Sequence, residues 1–177
     1  MIKRKSRTER LTIPALSLYD DPSPIWTDIT EGKLPLAMTL ETDTRPPPDA
    51  FVRSLHRGPF SLHNGPVFHK IDGDRFWHGL FITERHSNSR GRLHGGMMTA
   101  FADGLLATAV ARANTAMAVT VNLNCNICAA ADIGDWLEGT ARQTSAADGF
   151  AFVEAEAWVG EKIIFNATGV FRFLEKR

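Results

Sequence analysis

The chain has 177 residues, with 20 Lys plus Arg against 20 Asp plus Glu, 44% apolar residues and 23% charged ones. This balance suits one globular domain with an appendage and excludes a disordered chain or a disulfide scaffold. Net neutrality removes any global electrostatic reason to expect nucleic acid or an anionic membrane as partner, and two cysteines fit a reducing cytoplasm.

The averages hide two asymmetries. Residues 1–10 carry Lys3, Arg4, Lys5, Arg7 and Arg10 against Glu9, a local charge of +4, so the remainder is −4. All nine prolines fall between Pro14 and Pro66. Proline breaks helix interiors and sheet ladders, so residues 1–48 read as an N-terminal extension, a basic tail plus a proline-rich arm, and residues 49–177 as the folded domain. Leu11 to Leu18 is mixed, short and interrupted by Pro14, unlike the apolar core of a secretory peptide. The arm offers Ile25, Trp26, Ile29, Leu34, Leu36 and Met38 for packing on a surface.

Asp49 to His56 follows three prolines and precedes Gly58, which predicts a short helix. Pro66 to Ile71 and Arg75 to Thr83 flank Asp72-Gly73-Asp74, a hairpin signal. After the loop His86 to Leu93, the stretch Gly95 to Ala111 is small or apolar throughout, with Asp103 as its only charge. It is short for a membrane span and carries an acid near its middle, so it predicts a buried core helix enclosed on most sides. Strands follow over Met117 to Cys128, Trp136 to Ser145, Phe150 to Val159 and Ile163 to Leu174, with Val153, Ala155 and Ala157 facing one way and Glu154 and Glu156 the other. A long antiparallel sheet curling around one apolar helix meets the enclosure requirement, an α+β architecture.

Leu93-His94-Gly95-Gly96 opens that helix, and its glycines let a ligand approach backbone N–H groups that have no partner within the helix. Those donors and the positive end of the helix dipole suit an oxyanion or a polarised carbonyl. A carboxylate in an apolar helix is costly unless paired or set in a cleft, and burial is expected to raise the pKa of Asp103 towards general-base duty. Asn88, just before the junction, suits either a turn or the orientation of water or a carbonyl. Gly95 and Asp103 are eight positions apart, roughly 12 Å along a straight helix, so no single carbonyl carbon touches both. If two such helices run antiparallel across a dimer, His94 and Gly95 of one copy face Asp103 of the other, giving two composite sites.

The spacing of Asn88, His94-Gly95-Gly96 and Asp103, with Arg57-Gly58-Pro59-Phe60 upstream and Val119 to Asn124 downstream, resembles the hotdog-fold acyl-CoA thioesterases of the phenylacetate-type branch. The resemblance covers about residues 50–177. The chain departs from that pattern at Cys128-Ala129-Ala130-Ala131, where relatives usually carry Pro-Ala. The likeness implies a hotdog fold and hydrolysis of an acyl-CoA to a free acid and coenzyme A without metal or redox cofactor. It implies a cytoplasmic homodimer, further paired as a dimer of dimers. By the same likeness the Gly95 N–H polarises the thioester carbonyl while His94 shapes the turn, and Asp103 acts as nucleophile or as general base on water. Asn88 positions carbonyl or water, and Thr120 holds water or the acid.

Gly96 adds to the substrate-binding turn, and Arg90 and Arg92, with Arg85 nearby, suit either coenzyme A phosphates or plain solubility. Cys125 and Cys128 are formally C-x-x-C, but residues three apart on a strand point to opposite faces, so two buried thiols are expected and no zinc site. His56, His63, His69, His78 and His86 lack metal-ligand spacing and read as turn, strand or surface residues. Two other functions remain open from sequence: a hotdog domain that binds acyl-CoA as sensor or carrier without hydrolysis, and a hydratase, for which the His and acid stand in the wrong arrangement.

Overall fold

The computed structural model describes residues 45–55 and 58–174. The basic tail and nearly all of the arm, together with His56 and Arg57, lie outside the described residues. The chain runs β1 (Val52–Arg53), α1 (Pro59–His63), β2 (Phe68–Asp72), β3 (Arg75–Phe81), a 3-10 turn (Glu84–His86), α2 (Gly95–Ala113), β4 (Ala118–Ile127), β5 (Trp136–Ala147), β6 (Phe150–Val159) and β7 (Lys162–Phe173). The predicted hairpin is β2–β3. Asp72 pairs with Arg75, and Gly73 takes a positive φ of 57° that favours glycine.

All strand pairs are antiparallel, in the order β1-β2-β3-β5-β6-β7-β4. β4, the first strand after the helix, therefore lands on the far edge beside the last strand of the chain. Its other edge has no described strand against it.

The inner face of the sheet covers α2. Met98, Phe101, Ala102, Leu105, Leu106, Ala109 and Val110 of the helix pack with Leu80, Leu137, Val153, Phe165 and Phe171 of the strands. Each fully buried leucine or phenylalanine contributes about 1.5–3 kcal/mol. Small residues set the helix close to the sheet: Ala151, Ala155 and Ala157 line β6, and at Gly139 a Cβ would come within 2.8 Å of Leu105 Cδ1.

The structure departs from the sequence expectations in three places. Residues 49–55 form no helix: a turn leads into β1, and the short helix starts at Pro59, where proline suits the first helical turn. The core helix is not enclosed on most sides, because Thr99, Ala100, Asp103, Gly104 and Ala107 form a half-open stripe facing away from the sheet core. Of the two cysteines, Cys125 is half-buried, with burial pushing its thiol pKa up, while Cys128 is exposed.

A second cluster closes the β2–β3 end. The Trp136 ring meets Phe51, Phe68 and Phe81 at centroid distances of 5.0, 5.7 and 4.8 Å. It lies against Gly79, where a Cβ would fall 2.1 Å from Trp136 Cζ2. Gly79→Ala is therefore expected to destabilise the fold by about 1–3 kcal/mol through overpacking. Urea unfolding reads the loss, and the double variant with Trp136→Leu should recover most of it; equal losses with and without the indole would refute the slot.

Candidate active site

The loop leaving β3 is fixed by a buried imidazole. His86 Nδ1 accepts from the Thr83 N–H at 3.1 Å, so its proton sits on Nε2, which donates to the Asn64 carbonyl at 3.1 Å. The His86 carbonyl in turn accepts from the His94 N–H at 2.8 Å. One residue thus ties the end of α1 to the residue that opens α2. Burial, with the nearby Arg85 charge as a lesser cause, pushes the His86 pKa below its ordinary 6.5. From sequence His86 reads as a turn, strand or surface histidine; the signal that distinguishes it is Thr83-x-x-His86, capping-box spacing ahead of Asn88.

Asn88 shapes the loop after this turn. Its Oδ1 accepts from the N–H groups of Arg90 and Arg92 at 2.9 and 3.3 Å, and its backbone N–H donates to the Arg92 carbonyl at 2.7 Å. With Oδ1 committed, Nδ2 is the group of this amide that can turn to a ligand, and it can only donate. Arg92 forms an ion pair with Asp132, so its charge is already matched, whereas Arg90 is exposed.

His94 is the N-cap of α2. Its Nδ1 accepts from the Gly96 N–H at 2.9 Å, and its carbonyl accepts from Met97 and Met98 at 2.9 and 3.1 Å. With the His94 N–H held by the His86 carbonyl, three of the four donors that have no helical acceptor, those of His94, Gly96 and Met97, are satisfied within the chain. No described residue accepts from the fourth, the Gly95 N–H. Gly96 supplies no free donor, and Gly95 is left as the one that can polarise a carbonyl, at the positive end of the helix.

Asp103 sits on the half-open stripe and is half-buried, not enclosed as its apolar surroundings in sequence suggest. Thr120 Oγ1 donates to Asp103 Oδ1 at 2.9 Å. A break in the β4–β7 register between Thr120 and Asn122 marks a bulge beside Thr120, the kind of irregularity that re-aims a side chain. The structure thus joins Thr120 to Asp103, and joins Asn88, His94 and Gly95 through one loop and cap. The two groups stay about 12 Å apart along α2. Among the described residues no group of three or more His, Cys, Asp or Glu side chains is placed to hold a metal ion, and no helix is long and apolar enough to cross a membrane.

The thioesterase superfamily profile matches residues 90–164. A Pseudomonas aeruginosa protein named provisionally as an esterase is 35% identical over 127 residues, spanning 70% of this chain and 95% of that protein. Among solved structures, mouse thioesterase superfamily member 2 aligns with a TM-score of 0.58 at 20% identity, over 70% of this chain and 100% of that one. A phenylacetic acid degradation-related protein from Ralstonia eutropha aligns at 0.59 and 22% identity, over 67% and 92% of the two chains. A Bacillus halodurans protein solved with coenzyme A aligns at 0.56 and 24% identity, over 62% and 74%. These structural likenesses establish the fold.

The depressed His86 pKa makes stability depend on pH in a defined direction. Below pH 6.5 the unfolded chain takes up a proton that the folded chain resists. The stabilising contribution is therefore complete above about pH 6.5 and falls as pH drops towards the folded value, by at most about 1.4 kcal/mol per unit of depression. Urea midpoints from pH 7.5 to 5 should decline in this window for wild type. The slope should flatten in His86→Gln; an equal slope would show that other groups carry it.

Proposed function

The chain belongs to the thioesterase superfamily, and we propose that it hydrolyses an acyl-CoA thioester to a free acid and coenzyme A. The observation that carries this reading is the pairing, on one helix, of an unused N–H donor at Gly95 with a Thr120-held carboxylate at Asp103. Hydrolysis of a thioester builds negative charge on the carbonyl oxygen while water or a carboxylate attacks the carbon. The Gly95 N–H donates to that oxygen, and the helix dipole favours its developing charge. Asn88 Nδ2 supplies a second donor to the carbonyl or to the attacking water.

Asp103 takes the proton of water, or attacks directly. With Oδ1 held by Thr120, Oδ2 is the oxygen presented to the reaction. Helix length supports placing these groups in different copies. The unpaired edge of β4 supports a second copy there, because this end of the sheet carries Met117, Val119, Val121 and Ile127 with exposures of 77, 45, 57 and 54%, a template for strand pairing if left uncovered. A pair related by a two-fold axis at this edge sets the start of one α2 towards the middle of the other. The exposed Arg90 is then the cation available to coenzyme A phosphates, Arg92 being bound to Asp132.

Two substitutions separate the halves of the site. Gly95→Pro removes the N–H at a first-turn position that tolerates proline, behind a His94 already extended at φ −71° and ψ 136°. It is expected to fold and to lose about 10²–10³-fold in kcat. Asp103→Ala should lose about 10²–10⁴-fold. Unfolded together and refolded, the two variants should regain about a quarter of wild-type activity, since half of the dimers are mixed and each holds one intact site. Thiol release from acetyl-, hexanoyl-, benzoyl- and palmitoyl-CoA is the measurement. Mixtures that stay inactive would overturn the shared site, and wild type inactive on all four would overturn the activity.

A further inference from the structure

A small cavity open to solvent lies between α1 and α2. Met97, Ala100, Phe101 and Gly104 line its helix side at i, i+3, i+4 and i+7, one face of α2, and Phe60 and Val67 contribute apolar walls opposite. His78 of β3, buried and edge-on to Phe76 at 5.2 Å, is part of the same lining. The cavity begins two residues inside α2 from the Gly95 donor and runs along the helix.

Gly104 has no structural reason to be glycine within the chain. A Cβ there would meet nothing within 4 Å, in contrast to Gly79 and Gly139, whose missing side chains are replaced by Trp136 and Leu105. Glycine in a helix interior weakens it relative to alanine, so this position gives up helix stability and leaves space. Met97, at the other end of the lining and half-buried, is flexible and fills irregular gaps readily. From Met97 to Gly104 the helix rises about 10 Å. An extended carbon chain gains about 1.2 Å per bond, so this reach corresponds to about eight bonds.

We propose that this cavity is the acyl chamber and that Gly104 and Met97 are its specificity-determining residues, limiting the substrate to acyl groups of up to about eight carbons. This rests on the thioesterase reading above. The lining, of which only Ser61, Asn64 and His78 are polar, favours each added methylene until the space along α2 is filled, after which further carbons are forced into the mouth. Discrimination of about tenfold or more per misfitting group is within the reach of an apolar pocket.

The test measures kcat/KM for butyryl-, hexanoyl-, octanoyl-, dodecanoyl- and palmitoyl-CoA. For wild type the constant should rise to hexanoyl or octanoyl and fall at least tenfold by palmitoyl. Gly104→Leu should lower the octanoyl-to-butyryl ratio at least tenfold, Gly104→Ala should lower it less, and Met97→Ala should move the optimum to a longer chain. A wild type that prefers palmitoyl, or a profile unmoved by all three variants, overturns the proposal. So does a uniform loss over all chain lengths with a changed oligomeric state in the Gly104 variants, which would assign the glycine to contact between copies. Titration calorimetry of the Asp103→Ala variant with the same series reads the chamber without turnover. If no chain is hydrolysed the activity fails, and the dependence of Kd on chain length still decides the chamber.

Discussion

A helix that is apolar on almost every side has to be covered by something, and the structure depends on how α2 is covered. The sheet takes Met98, Phe101, Leu105, Leu106, Ala109 and Val110 out of water, so seven strands curl about one helix. Coverage stops at the stripe Thr99, Ala100, Asp103, Gly104 and Ala107. The carboxylate lies on the uncovered side, where it keeps water while Thr120 holds one of its oxygens. Burying it in the sheet core would have imposed the desolvation cost of an unpaired charge. The open stripe and the unpaired edge of β4 are thus two results of one incomplete covering, and the proposed second copy would cover both.

The other half of the site comes from hydrogen-bond accounting at the start of the same helix. Four N–H groups need acceptors outside the normal helical pattern. The His86 carbonyl takes that of His94, and the His94 side chain and carbonyl take those of Gly96 and Met97, which leaves Gly95. His94 can do this because its own N–H is held by the His86 carbonyl, and His86 is held by Thr83 and Asn64. An open donor at the start of α2 is therefore specified by a relay of caps and turns beginning in α1. The single free N–H is preorganised and costs no rearrangement when charge develops against it.

Much of this is legible in residue patterns. Alternation in Phe150 to Val159, the Asp72-Gly73-Asp74 turn and the charge-poor run after His94 identify the hairpin, the core helix and the later strands, because each is decided by local periodicity. Elsewhere long-range geometry decides. Residues 49–55 include helix-compatible types, but pairing of Val52 with His69 makes an edge strand of them. The enclosure of Asp103 is overestimated from sequence because composition cannot tell a helix surrounded by its own sheet from one left open for a partner. Asn88 and Gly96 illustrate a finer limit: both sit beside the site in sequence, yet Oδ1 of one and the N–H of the other are committed to the loop and cap that build it. His86 is undervalued for the converse reason, since its partners include Asn64, 22 positions away.

The glycines separate what the fold needs from what the site needs. At Gly79 and Gly139 the absent side chain is replaced by an indole and a leucine of the same chain, so these positions record packing. At Gly95 the nearest atom to a built Cβ is the flexible end of Ile127 at 3.0 Å, and at Gly104 nothing lies within 4 Å. A fold under selection for stability alone would fill Gly104, because alanine favours a helix interior, whereas at Gly95 Ile127 would have to give way to a side chain. Both lie on one helix, one beside the unused N–H and the other along the cavity that begins there. On the proposed reading, these two positions serve an occupant from outside the chain that meets the donor with its carbonyl and the cavity with its hydrocarbon.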